Sequence, residues 1–247
     1  MMFELGTLRH TFTMVGHCPR DRLLGIAITT SPPAVGSRCP FIAANVGAIS
    51  TQAYTDPALG PLGLKLLKLG FSAQKTIDLI VESDEWHEYR QIGVVDAFGN
   101  AAAITGAKNL EWCGHESGPG YVAMGNYLAG PGVVAAMAAA FRDSKSEILE
   151  ERLVRALEAG KAAGGEKGGQ LSASLLVYGQ QPYARTDLRV DAHRHTESKP
   201  GDAVSELRRL LDRYRPLIRY YELRPSNPHL PGWRDWRDDS AAAVRGA

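Results

Sequence analysis

Two apolar runs of strand composition, joined by a short turn, open the legible part of this chain. They are Thr11-Phe12-Thr13-Met14-Val15-Gly16, the turn Cys18-Pro19-Arg20-Asp21-Arg22, and Leu24-Gly25-Ile26-Ala27-Ile28-Thr29-Thr30-Ser31. Runs holding Ile, Val and Thr between Pro and Gly breakers favour sheet, and a turn this short returns the second strand antiparallel beside the first. The first strand therefore begins on a hydroxyl, Thr11, with a partner strand along its side. A hydroxyl so placed is a candidate nucleophile. If the chain began at Thr11, its own α-amine, with an ordinary pKa of ~7.7–8.0, would take up the hydroxyl proton near neutral pH.

The remaining pattern places strands and helices in blocks. Strands are predicted over 11–15, 24–30, 41–44 and 47–51. Two helices follow, 62–69 from its Pro start and Gly stop, and 73–82 from the Ser72 cap and the shared face of Ile77, Ile80 and Val81. Residues 90–96 and 101–105 form a hairpin across Phe98-Gly99-Asn100. After a Gly-rich stretch come helices 131–141 and 147–163, strands 171–178 and 186–190, and helix 202–214. Strands grouped with strands and helices with helices indicate an α+β fold rather than alternating βαβ units. The expected divisions are an N-terminal extension over 1–10, one domain over 11–224 and a tail over 225–247.

Composition narrows the function classes. Lysine plus arginine number 28 and aspartate plus glutamate 27, a net charge of +1, so no global field draws nucleic acid or an acidic membrane. Arginines 208, 209, 213, 215, 219 and 224, interleaved with Tyr214, Tyr220 and Tyr221, read as the exposed side of an amphipathic helix. No run reaches the ~20 apolar residues that span a bilayer. Cys18, Cys39 and Cys113 show neither CxxC nor zinc spacing, which fits a reducing compartment. Together with the absence of an apolar core in residues 1–10, this sets the expectation of a cytoplasmic protein. No cofactor and no metal site are expected.

A series of blocks resembles the bacterial and archaeal domain-of-unknown-function 1028 family. They are Thr11-Phe12-Thr13-Met14-Val15, Gly25-Ile26-Ala27-Ile28, Gly47-Ala48-Ile49-Ser50-Thr51-Gln52-Ala53, Arg90-Gln91-Ile92-Gly93-Val94-Val95-Asp96, Trp112-Cys113-Gly114-His115 and Met124-Gly125-Asn126-Tyr127-Leu128-Ala129-Gly130. The resemblance implies an N-terminal-nucleophile (Ntn) hydrolase-like fold, a four-layer α/β/β/α sandwich of two stacked, mainly antiparallel sheets. It implies no settled substrate. A function is implied only by class: amide-bond hydrolysis on a small amide or peptide-like substrate, in a homo-oligomer. The alternative is a catalytically silent or ligand-binding member of the same fold.

Thr11 leads the site candidates, with Asn126 as an amide donor to a developing oxyanion and His115 as a proton carrier near pH 7. Because ten residues precede Thr11, its amine exists only if the chain is cut after His10. Thr30 and Ser31 end the strand beside Thr11 and either orient it or serve as ordinary sheet hydroxyls. Gln52 and Asp56 follow the third-strand block and either line a pocket or start a turn. Glu166 lies in Gly164-Gly165-Glu166-Lys167-Gly168-Gly169-Gln170-Leu171. There the family pattern resembles Gly-Gly-Asp-x-Arg-Gly-x-Gln, so an arginine fork suited to carboxylates is absent. Cys113 reads as packing, and the charged face of Asp187, Arg189, Asp191 and His193 as ion pairing.

Overall fold

The structure, a computed structural model, describes residues 10–165, 169–196 and 200–237. Among the described residues ten strands form two sheets, every neighbouring pair antiparallel. They are β1 (Thr11–Cys18), β2 (Leu23–Thr30), β3 (Pro40–Ala43), β4 (Gly47–Ala53), β5 (Arg90–Asp96), β6 (Ala101–Thr105), β7 (Gly114–Gly118), β8 (Tyr121–Asn126), β9 (Ser172–Tyr178) and β10 (Ala184–Val190). The larger sheet runs β10-β9-β2-β1-β8-β7 and the smaller β3-β4-β5-β6. The helices are α1 (Leu59–Lys68), α2 (Ala73–Ser83), α3 (Gly132–Asp143), α4 (Leu149–Ala162), α5 (Ala203–Tyr214) and the short α6 (Ile218–Leu223).

β1 and β2 are buried at every position, so both faces of the central sheet are covered. Alternation along β1 sends Phe12 and Met14 toward α3 and α4, where they join Phe141, Leu149 and Leu153. Val15 points the other way, into a seam with Ile26, Val122 and Met124 of its own sheet and Ala48 and Val95 of the smaller one. The smaller sheet covers its outer face, Ile49, Ile92 and Val94, with α1 and α2. The layers therefore stack helix, sheet, sheet, helix, as expected.

Two glycine positions decide how closely these layers approach. Gly16 and Gly25 face each other across β1 and β2. A Cβ at Gly16 would lie 2.6 Å from the Phe141 ring, and one at Gly25 would lie 2.5 Å from Leu153. Their bare backbone lets α3 and α4 settle onto the sheet. α2 starts where predicted, the Ser72 hydroxyl accepting from the Lys75 amide at 3.2 Å. α5 is capped in the same way by Asp202, which accepts from Ser205 N at 3.0 Å.

The main departure from the sequence reading is the Gly-rich stretch. It forms the hairpin of β7 and β8, and β8 pairs with β1 through the heart of the larger sheet. Its glycines lie under large rings and side chains: a Cβ at Gly114 would meet the Trp112 ring at 2.6 Å, one at Gly118 the Tyr121 ring at 2.6 Å, and one at Gly125 Leu128 at 2.5 Å. The described part of the tail, through residue 237, turns back so that the Trp236 ring lies 5.5 Å from that of Tyr220, which is itself 1% exposed. Among the described residues no helix is long and apolar enough to cross a membrane.

Candidate functional site

The seam between the sheets is apolar in its middle and turns polar at the end where β1 begins. Thr11 and Thr13 share the seam face with Val15 because side chains repeat every second residue. Register places Thr11 opposite Thr30 of β2 on one side and opposite Asn126 of β8 on the other. From the smaller sheet, Gln52 of β4 and Gln91 of β5 are cross-strand partners at the same end. Thr11, Thr13, Thr30, Gln52, Gln91 and Asn126 are all nearly or fully buried.

Gln91 is the hub of this layer. Its Oε1 accepts from Gln52 Nε2 at 2.6 Å and from Asn126 Nδ2 at 3.2 Å. Its Nε2 faces Thr105 Oγ1 at 2.8 Å, Gly125 O at 2.9 Å and Gly114 O at 3.1 Å, so three acceptors share two protons. Gln52 Oε1 in turn accepts from the Thr13 hydroxyl at 2.5 Å, which ties the first strand of one sheet to the amide pair of the other. Beyond Thr105, His115 Nδ1 lies 2.8 Å from the threonine oxygen. Its ring is open to solvent on one side, and the partial burial of the rest lowers its pKa below the ordinary imidazole value. The Ser50 hydroxyl, facing the same seam from β4, is fully buried and meets no hydrogen-bond partner among the described residues.

Thr11 has a separate arrangement. Its Oγ1 lies 2.9 Å from Thr30 Oγ1, and Thr30 Oγ1 donates to the carbonyl oxygen of His10 at 2.5 Å. A hydroxyl carries one proton, and Thr30 has given its own to His10, so Thr11 is the donor between the two threonines. Ser31 N–H also donates to His10 O, at 3.3 Å. The carbonyl immediately before Thr11 thus receives two donors, one of them bridged to the Thr11 hydroxyl. His10 is 3% exposed, its ring set edge-on to Tyr127 at 4.4 Å.

The sequence candidates are therefore partly assembled. Thr11, Thr30, Ser31 and Asn126 meet around the start of β1, Gln52 joins through Thr13 and Gln91, and His115 joins at the far side through Thr105. Asp56 sits in the turn ahead of α1, where its Oδ1 accepts from Ala58 N at 2.9 Å, and no contact ties it to the polar layer. Glu166 lies outside the described residues. Cys113 is half-buried with its thiol 3.8 Å from Asn109 O. Sequence reasoning missed Gln91 and Thr13. A glutamine on the inward period of an otherwise apolar strand was the available signal, since a buried amide must find partners. Among the described residues no group of three or more His, Cys, Asp or Glu side chains is placed to hold a metal ion.

The model of the family described as "Family of unknown function (DUF1028)" matches residues 11–198. A crystal structure of a protein from Silicibacter pomeroyi, of that same family, is 30% identical, superposes with a TM-score of 0.75 and covers 83% of this chain and 89% of its own. A looser superposition, TM-score 0.37 at 10% identity, covers 90% of this chain and 98% of Anbu (ancestral beta-subunit) from Yersinia bercovieri. No curated protein matches the sequence.

Proposed function

This chain belongs to the DUF1028 family, whose description assigns no reaction, and we propose that it is an amidohydrolase of the N-terminal-nucleophile type with Thr11 as the reacting residue. The observation that carries the reading is the line from the Thr11 hydroxyl through Thr30 to the His10 carbonyl. A hydroxyl needs a base to become a nucleophile, and among the described residues the polar layer around Thr11 offers threonines and amides, with His115 at its far side, but no carboxylate or lysine. His115 is separated from Thr11 by Thr105 and Gln91, so the base closest to the hydroxyl is the amine of Thr11 itself, which requires the bond to His10 to be cut.

The arrangement suits that cut. Thr11 Oγ attacks the His10 carbonyl carbon, its proton passing to Thr30 Oγ as Thr30 hands its own to the carbonyl oxygen, which Ser31 N–H also holds. The C–N bond then breaks as the new hydroxyl proton returns to the nitrogen, leaving His10 as an ester on Thr11 Oγ. Water cleaves the ester, giving a carboxylate on His10 and restoring the Thr11 hydroxyl beside the amine already freed. With ~7.7–8.0 as its ordinary pKa, that amine can take the hydroxyl proton when a substrate amide arrives. Asn126 gives one N–H to Gln91 and keeps a second for the developing oxyanion. A silent, ligand-binding protein is the second reading, favoured by His10 itself, which is buried against Tyr127 at the mouth of the site.

Intact mass and turnover test the proposal together. The purified protein should lack residues 1–10, Thr11→Ala should keep them, and a chain beginning Met-Thr11 should release amine from a panel of small amides and dipeptides. A full-length mass for the natural chain, with no turnover by the Met-Thr11 form, refutes the amidohydrolase and leaves the binding reading.

A further inference from the structure

The family match ends at residue 198, and a cationic concavity of the described chain lies wholly beyond it. Arg213 near the end of α5, Pro216 and Leu217 just after it, and Trp233, Arg234, Trp236 and Arg237 of the returning tail line an open cleft of about 460 Å³. That volume falls in the ~300–1,000 Å³ range of small-ligand sites. Among the described residues three guanidinium groups line it and no carboxylate does. Among the described residues Arg213, Arg234 and Arg237 form no ion pair, whereas the neighbouring Arg208, Arg209, Arg215 and Arg219 are each matched to a glutamate. The side chain of Arg237 is turned onto the carbonyls of Arg234 and Trp236, leaving Arg213 and Arg234 as the open charges.

The walls between these charges are aromatic. Trp236 is fixed against Tyr220, Trp233 is 53% exposed, and the Arg234 guanidinium lies 5.2 Å from the centre of its ring. The Trp236 indole nitrogen is buried and meets no acceptor among the described residues. An exposed indole offers a face for stacking, arginine forks suit the planar spread of phosphate or carboxylate oxygens, and an unmatched N–H calls for one more acceptor. We propose that this cleft binds a small anion carrying a flat aromatic ring, of mononucleotide size, at a site separate from Thr11. The ring stacks on the face of Trp233 that the Arg234 guanidinium leaves open, and the anionic group sits between Arg213 and Arg234.

Calorimetric titration of the purified full chain tests this with four probes: adenosine 5′-monophosphate, 2-naphthoate, adenosine and inorganic phosphate. At least one of the two ring-bearing anions should bind with a Kd below about 1 mM, and adenosine and phosphate at least about tenfold more weakly. Arg213→Ala and Arg234→Ala, both at exposed positions, should each weaken that binding about tenfold, and Trp233→Ala should erase the advantage over phosphate. Thr11→Ala should bind as the natural chain does, so loss of the nucleophile reading and loss of this one are separate results. The proposal is overturned if neither ring-bearing anion binds, if phosphate binds as well as they do, or if the arginine variants titrate like the natural chain.

Discussion

Replacing Gln91 by leucine is the most demanding test of the polar layer, because the two side chains are close in size and the change is almost purely one of hydrogen bonding. Gln91 is fully buried, and its Oε1 is the acceptor for both Gln52 Nε2 and Asn126 Nδ2. Two buried donors left without an acceptor, at ~1–3 kcal/mol each, predict a loss of ~2–6 kcal/mol. Against a total domain stability of ~5–15 kcal/mol, that is a large fraction from one near-isosteric change. Urea unfolding followed by far-UV circular dichroism measures it as a fall in the midpoint at an unchanged slope. Thr13→Val strips one donor from Gln52 Oε1 and should cost less, ~1–3 kcal/mol. Since both changes act through Gln52, the double variant should lose less than the sum, with a coupling of ~0.5–3 kcal/mol. A Gln91→Leu protein within about 0.5 kcal/mol of the natural one, near the range of an ordinary surface substitution, would show that the layer is not the connected unit described.

Gly106→Ala should destabilise by ~1–3 kcal/mol or more, since its Cβ would come within 2.3 Å of the Glu88 carbonyl oxygen, a backbone atom that cannot rotate aside; the melting temperature reports it. His17 is buried, which lowers its pKa, with Asp96 pulling it up and Arg152 pushing it further down. The native state then stays neutral where the unfolded chain, titrating at ~6.5, gains a proton, so the contribution of His17 is complete above that pH and is lost as pH falls below it. Urea midpoints at pH 7.5 and pH 5 should therefore drop less in His17→Gln than in the natural protein, and an equal drop would reject the assignment. Burial raises the Cys39 thiol to about 11, with small opposing contributions from Thr55 and Arg38, so iodoacetamide at neutral pH should label it only after unfolding.

The strands and helices visible beforehand are those whose apolar period survives without help from distant parts of the chain. β1, β2 and α2 carry their patterns and caps locally, and they start and stop within a few residues of expectation. β7 and β8 do not. With Gly114, Gly118, Gly120 and Gly125 they have the composition of a loop; Gly120 makes the turn at a positive φ, and the other three make sense only once the rings of Trp112 and Tyr121 and the side chain of Leu128 occupy the space above them. In the site, Thr11 and Asn126 were legible by residue type, but their pairing was not, because it depends on β8 being a strand in register with β1. Gln91 was hidden for the opposite reason: it sits in a run so apolar that the strand was evident and the one inward amide was passed over.

The position of β1 also sets an order of events during synthesis. It is flanked by β2, which follows within a few residues, and by β8, which leaves the ribosome only after another ninety or so residues, a figure on the order of several seconds of elongation. Until β8 arrives, β1 is an edge strand whose outward backbone groups have no partner, and Asn126 is not yet beside Thr11. β2 waits longer still, for β9 and the residues near 172 that complete its far side. The hydroxyl that begins the first strand is made almost at once and meets Thr30 soon after, but it waits for β8 to bring Asn126. Any chain truncated before residue 126 would therefore present Thr11 at an open sheet edge, with no pocket around it and an unpaired strand exposed to other chains.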